Sequence, residues 1–165
     1  MGTAWEEFVK THAQAVLDSA LRVVVNSADA EDVAQEVFME IFRSGKLCEF
    51  TDQPALVRTI ATRRALDLLR RRKIGCDLQG EERDGREHQP CDYAIAAELD
   101  QRLRAALVRL PPREAEVFCL SVLEGNSAVD IAVLLSISKG AVAKALSMAR
   151  GRLAAAFADV RSETK

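Results

Sequence analysis

The sequence predicts an all-α protein of two small helical modules joined by a flexible acidic linker, the second module containing a helix-turn-helix. Three observations carry this. Nearly every patterned segment repeats its apolar residues at helical spacing, and no segment alternates with period two between turn residues, apart from the ambiguous short run "LRVVV" at Leu21–Val25. The stretch from Ile74 to Asp92, "IGCDLQGEERDGREHQPCD", breaks that pattern with three glycines, a proline and little apolar content. After it come two helical segments separated only by "SIS". The expected boundaries are residues 1–75 for the first module, 76–92 for the linker and 93–165 for the second.

In the first module a helix is expected through "AWEEFVKTHAQAVLDSALRVVV", ended by a turn at Asn26-Ser27, with Ser27 or Asp29 as cap of the next helix. That second helix, "DAEDVAQEVFMEIFR", separates its residues sharply at 100° per residue. Ala30, Val33, Ala34, Val37, Phe38, Ile41 and Phe42 make one arc. Asp29, Asp32, Gln35, Glu36, Glu40 and Arg43 make the other, with Met39 among them. Acidic residues near a helix start complement its dipole, yet a concentrated acidic face with an exposed methionine also suits docking of a basic protein partner. A third helix opens near Pro54 and carries "RTIATRRALDLLRRRK", in which seven of sixteen residues are basic while the whole chain has net charge −2. One or two cations at a helix end are explained by its dipole, each worth roughly 0.3–1 kcal/mol. Seven exceed that need and point to a surface that follows phosphates. Arg64 falls within the apolar stripe and must either snorkel to solvent or pair with a carboxylate, for which Asp67, three residues on, is the candidate.

The linker carries the opposite charge. From Asp77 through Asp100 eight acidic residues face only Arg83 and Arg86, which makes the total near neutral. It reads as a solvated spacer or as a segment that shields the basic helix. In the second module Ile95, Leu99, Leu103 and Leu107 form a stripe that Pro111-Pro112 ends. "LPPREAEVFCLSVLEG" is a helix closed by Gly125, and "NSAVDIAVLLSISKGAVAKALSMARGRLAAAF" is helix, turn, helix, with Asn126 or Ser127 as cap. Val142, Leu146, Ala149, Leu153 and Phe157 line the inner side of the last helix. Such a pair places its second helix in a major groove. Lys144 and Ser147 are the candidates for base edges, Lys139, Arg150 and Arg152 are better placed for phosphates, and Ser138 is a further DNA-binding candidate.

Other chemistry finds little support. Cys48, Cys76, Cys91 and Cys119 form no CxxC pair, and with only His12 and His88 no zinc-ligand spacing arises, so reduced thiols are expected. Cys76 and Cys91 flank the linker, where a redox clip is the alternative to inert thiols. No glycine-rich phosphate loop, metal cluster or nucleophile-base constellation is present, so the residues imply no cofactor and no enzyme. No apolar run approaches the roughly 18 residues of a membrane span, and a cytoplasmic location is expected.

Taken together and in this order, the acidic helix, basic helix and helix-turn-helix resemble the sigma-70 family of bacterial RNA polymerase initiation factors, in its minimal extracytoplasmic-function form. The label describes family membership and does not put the chain outside the cytoplasm. The resemblance implies that "DAEDVAQEVF" is the region 2 helix that docks on the polymerase clamp helices, through Asp29, Asp32, Gln35, Glu36 and Met39. It implies that "LVRTIATRRALDLLRRRK" melts and reads the minus-ten element of promoter DNA, through Arg58, Thr59, Thr62, Arg63, Arg70, Arg71, Arg72 and Lys73. The helix-turn-helix is similar to region 4, which binds the minus-thirty-five element and the polymerase flap. Members of the family are often held by an anti-sigma factor, though no segment here identifies one.

The chain departs from the family at Leu56, commonly near a tryptophan, and at Arg63, commonly near an asparagine. It is also uncharged at Ala143, Ala145 and Met148, where basic residues are usual. Region 4 is therefore expected to contribute less affinity or to read shape. Two other readings remain: a stand-alone helix-turn-helix regulator, which leaves the acidic face and basic helix unexplained, and a sigma-like adaptor whose recognition helix no longer reads DNA.

Overall fold

The computed structural model describes residues 2–44, 53–79 and 91–163, with side chains placed over 4–44, 53–73 and 97–158. Among the described residues every regular element is a helix: α1 (Gly2–Val24), α2 (Ser27–Ser44), α3 (Gln53–Gln79), α4 (Cys91–Arg109), α5 (Pro112–Phe118), α6 (Ala128–Leu134) and α7 (Lys139–Glu163), with a π-helical segment, Cys119–Leu123, continuing α5. The run "LRVVV" is the last turn of α1 and the residue that leaves it.

α1 packs against both α2 and α3, and these pack against each other. The spacing of Val16, Ala20, Val23 and Val24 puts them on one side of α1, where they are buried with Ala30, Val33, Val37 and Ile41 of α2 and Val57, Ala61, Ala65 and Leu66 of α3. At the far end Trp5 stacks on Phe8 at 5.7 Å and meets Phe42 edge-on at 5.1 Å. The chain leaves α1 through Val25 at φ 62°, left-handed backbone that is costly for a β-branched residue. The cap of α2 is Asn26, whose Oδ1 accepts from the Asp29 backbone N–H at 3.2 Å. Neither Ser27 nor Asp29 is the cap: Ser27 is already the first residue of α2, and the Asp29 carboxylate is held by Arg72.

The linker is shorter than the composition suggests. α3 runs on to Gln79 and α4 opens at Cys91, so only residues 80–90 separate them, outside the described residues. Once packing has nucleated a helix, each further residue adds a hydrogen bond, so polar residues and a glycine extend it. The side chains of Cys76 and Cys91 likewise lie outside the described residues. On α4 the expected stripe buries only its later part: Leu107 is 1% exposed, whereas Leu99 is 57% exposed.

The helix-turn-helix forms largely as its sequence implies. Ser127 caps α6 with a reciprocal box, its Oγ accepting from the Asp130 N–H at 3.2 Å while the Asp130 carboxylate accepts from the Ser127 N–H at 3.2 Å. The direction turns by 108° between α6 and α7. Gly125, at φ +70°, closes the π segment. Val117, Leu120, Ile131 and Val142 make a small core of this unit alone.

The principal difference from expectation is at the junction of the modules. A single core joins residues of α1, α2 and α3 to Ala106, Leu107, Leu110, Ala115, Cys119, Ala149 and Leu153. Consecutive residues Cys119 and Leu120 enter different cores, the shared one and that of the helix-turn-helix. Their divergence falls at the start of the π segment, which packs against α1 and α3. Arg22 of α1 pins the junction, donating from Nη1 to Glu124 Oε1 at 3.1 Å. Among the described residues no single helix is long and apolar enough to cross a membrane, and no three His, Cys, Asp or Glu side chains group as metal ligands.

Candidate polymerase and DNA interfaces

α2 and α3 run antiparallel across the first module, and their charged residues meet. Arg72 donates from both terminal nitrogens to the two oxygens of Asp29. Arg71 Nη2 donates to both oxygens of Glu36 at 3.3 Å. Glu40 serves two cations, accepting from Arg64 Nε at 2.8 Å and from Arg63 Nη2 at 3.3 Å. The hydrogen bond to Glu40 raises the Arg64 pKa above the ordinary guanidinium range, against the opposing effect of burial.

These pairs sort the candidate docking residues. Asp29 is buried, 4% exposed, and serves as a fixed counter-ion for Arg72. It does not lie on an open docking surface, because α3 brings Arg72 over it, which the pattern of one helix viewed alone cannot show. Glu36 is half-buried and shared with Arg71. Asp32, Gln35 and Met39 are exposed, and Gln35 and Met39 line a groove of about 660 Å³ between α1 and α2 with Trp5, Val9, Phe38 and Phe42. Phe42 is 62% exposed there, although the helical wheel puts it on the core arc.

The DNA candidates of α3 divide similarly. Thr59 is buried and its Oγ1 donates to the Ala55 carbonyl at 2.8 Å. Thr62 is fully buried, with no hydrogen-bond partner for its Oγ1. Neither hydroxyl faces solvent in this arrangement. Arg70 pairs with Asp67 at 3.4 Å and is mostly buried, so Asp67 is not the partner of Arg64. Arg58 is exposed, its Nε donating to the Pro54 carbonyl at 3.1 Å, and Lys73 is half-buried. Glu40, which organises two of the arginines, was not singled out from the sequence. The placement of Arg64 in an apolar stripe left either snorkelling or pairing with a carboxylate, and the structure takes the second course with Glu40.

On α7 the outer residues Lys139, Lys144, Ser147 and Arg150 are all exposed. Ser138 caps α7, its Oγ accepting from the Ala141 N–H at 3.1 Å. Arg152 Nε lies 3.1 Å from Glu114 Oε2, an ion pair that leaves this buried oxygen without a hydrogen bond. The outer face therefore combines a few cations with Gly140, Ala143 and Gly151, a surface able to approach a groove closely but with few charges for the backbone.

Comparison with known proteins agrees with this layout. Residues 8–74 match the family model Sigma-70 region 2, and residues 100–153 match Sigma-70, region 4. The chain is 32% identical over 165 residues to the ECF RNA polymerase sigma factor SigE of Mycolicibacterium smegmatis, covering 98% of this chain but 64% of that protein, so it spans less than two thirds of that relative's length. It is 32% identical over 139 residues to the RNA polymerase sigma factor CarQ of Myxococcus xanthus, covering 84% of this chain and 80% of that protein. The fold is shared with the sigma factor RpoE, solved in complex with the anti-sigma factor NepR from Bartonella quintana, at a TM-score of 0.57 and 21% identity over 93% of this chain and 96% of that one. With region 2 and region 4 in order on one helical chain, this protein belongs to the sigma-70 family, in its extracytoplasmic-function type.

Proposed function

We propose that this chain binds core RNA polymerase and directs it to promoters, region 2 engaging the melted minus-ten element and region 4 the minus-thirty-five element. The observation that carries this reading is the state of α2. Asp29, Glu36 and Glu40 are occupied by arginines of α3, while Asp32, Gln35 and Met39 stand open beside an apolar groove. A polar rim around apolar side chains is the anatomy of a protein interface. The docking surface is then Asp32, Gln35 and Met39 with the accessible part of Glu36. DNA contacts fall to Arg58, Arg63, Arg71 and Lys73 of α3 and to Lys139, Lys144, Ser147 and Arg150 of α7.

The two modules must part on a promoter. Elements about 25 base pairs apart lie on the order of 80 Å from each other along the duplex, whereas a compact chain of 165 residues has a radius of gyration near 15 Å. An anti-sigma factor, the partner with which RpoE was solved, would act here by holding the modules together. The proposed location is the cytoplasm, where polymerase and promoter DNA are found, and catalysis of RNA synthesis belongs to the polymerase.

The test is co-migration of the full chain with bacterial core RNA polymerase on a sizing column. The wild type is expected to co-elute and a folded Asp32→Arg, Gln35→Arg variant to elute alone. A folded wild type that does not associate overturns the reading in favour of a stand-alone helix-turn-helix regulator.

A further inference from the structure

The basic stretch of α3 is largely neutralised from within. Of its seven cations, Arg63, Arg64, Arg71 and Arg72 are held by carboxylates of α2 and Arg70 by Asp67 of α3 itself. Four guanidinium groups meeting three α2 carboxylates leave a net charge of one, so the surface presents far less field than its sequence suggests.

The contacts differ in burial and in length. The Asp29 carboxylate is 6% exposed and clasped by both terminal nitrogens of Arg72. The bond from Arg64 to Glu40 is short, at 2.8 Å. By contrast, Arg63 reaches Glu40 at 3.3 Å and is 48% exposed, and Arg71 reaches Glu36 at 3.3 Å and is 57% exposed. Long pairs between exposed groups separate readily and are weakened by salt. A phosphate offers the same guanidinium groups two well-placed oxygens.

We propose that Glu36 and Glu40 occupy the place of DNA phosphates in the free chain, and that Arg71 and Arg63 exchange these carboxylates for the promoter strand, while Arg72 and Arg64 keep theirs. Glu40, a residue with no other assignment, is thus a positioning residue that holds Arg64 permanently and Arg63 provisionally. Glu36 lies one helical turn from Asp32 and next to Gln35 on the docking helix. A polymerase contact there competes with Arg71 for the same carboxylate and releases the arginine towards DNA. Linkage requires that DNA in turn strengthen polymerase binding by the same factor. The choice of DNA as the incoming anion rests on the proposed function. The exchangeability of the two pairs rests on the geometry alone.

The test uses the full chain, without polymerase, binding a labelled mixed-sequence single-stranded oligonucleotide by fluorescence anisotropy at several salt concentrations. Glu36→Gln and Glu40→Gln are each compared with the wild type and with double variants that add Arg71→Gln or Arg63→Gln respectively. Each single variant is expected to bind several-fold tighter at low salt. The slope of log affinity against log salt should steepen by about 0.7, the value for one more single-strand phosphate contact. The gain should vanish in the doubles. Circular dichroism melting verifies folding, and if Glu40→Gln destabilises the chain by freeing Arg64, Glu36→Gln decides the matter alone. Unchanged or weaker DNA binding by folded Glu36→Gln overturns the proposal. Wild type that binds polymerase but shows no gain on losing Glu36 removes the exchange and leaves the sigma function standing. A gain in DNA affinity without polymerase association does the reverse.

Discussion

Cys119 shows how far a side chain's chemistry is set by its surroundings. It is a free thiol with no exposure, and burial pushes its pKa up to about 12, with Arg70 pulling the other way and Glu124 and Glu116 adding to the rise. At neutral pH it is an inert, neutral core residue. The unfolded thiol ionises near 8.5, so below that pH both states hold the proton and the group is silent. Above it only the unfolded chain releases the proton, and stability falls by at most about 1.4 kcal/mol per pH unit until the folded thiol ionises near 12. Urea titrations between pH 8 and 10 should therefore show a shallower loss of stability in Cys119→Ala than in wild type, although the variant is less stable throughout. Equal slopes would mean that the thiol is solvated. The neighbouring orphans, Arg70 Nη2 and Glu124 Oε2, are buried polar atoms without partners.

At the scale of elements, the antiparallel pairing of α2 and α3 divides one acidic stripe into roles that its composition does not distinguish. Removing the charge of the buried Asp29 carboxylate leaves the half-exposed Arg72 without its bidentate partner. Asp29→Asn should cost about 2–3 kcal/mol in chemical denaturation, less than a fully buried pair because Arg72 is half-exposed. Glu36→Gln, at an exposed pair, should change stability by less than about 1 kcal/mol. A similar loss for both would show that burial does not grade the ion pairs between α2 and α3. Within α6 and α7 the sequence was a better guide. The Ser127–Asp130 box, the glycine at 125 and the inner row Val142, Ala149 and Leu153 are local or periodic features that need no distant partner.

The whole molecule is held by a core to which both modules contribute and by a cross-module ion pair whose carboxylate is 2% exposed. Arg22→Glu sets two carboxylates against each other there. Small-angle scattering should then report a radius of gyration above the roughly 15 Å of a compact chain this size, with helix content preserved because each module retains packing of its own. A radius equal to wild type would show that apolar contacts alone close the molecule. The π segment meets α1 and α3 at this junction, and its Cys119 is the point where the two cores divide.

The amino-acid pattern alone determined the helical class, the order of the modules, the turn of the helix-turn-helix, and the exposed positions of Asp32, Gln35, Lys144 and Ser147. All of these follow from periodicity and from contacts within a few residues. Only the tertiary structure decided that Asp29, Thr59 and Thr62 are buried, that Glu40 is the partner of Arg63 and Arg64, and that the modules close on one another. Those outcomes depend on which face of one helix meets which face of another. The partners stand 23 to 102 residues apart, and no spacing within a single helix encodes them.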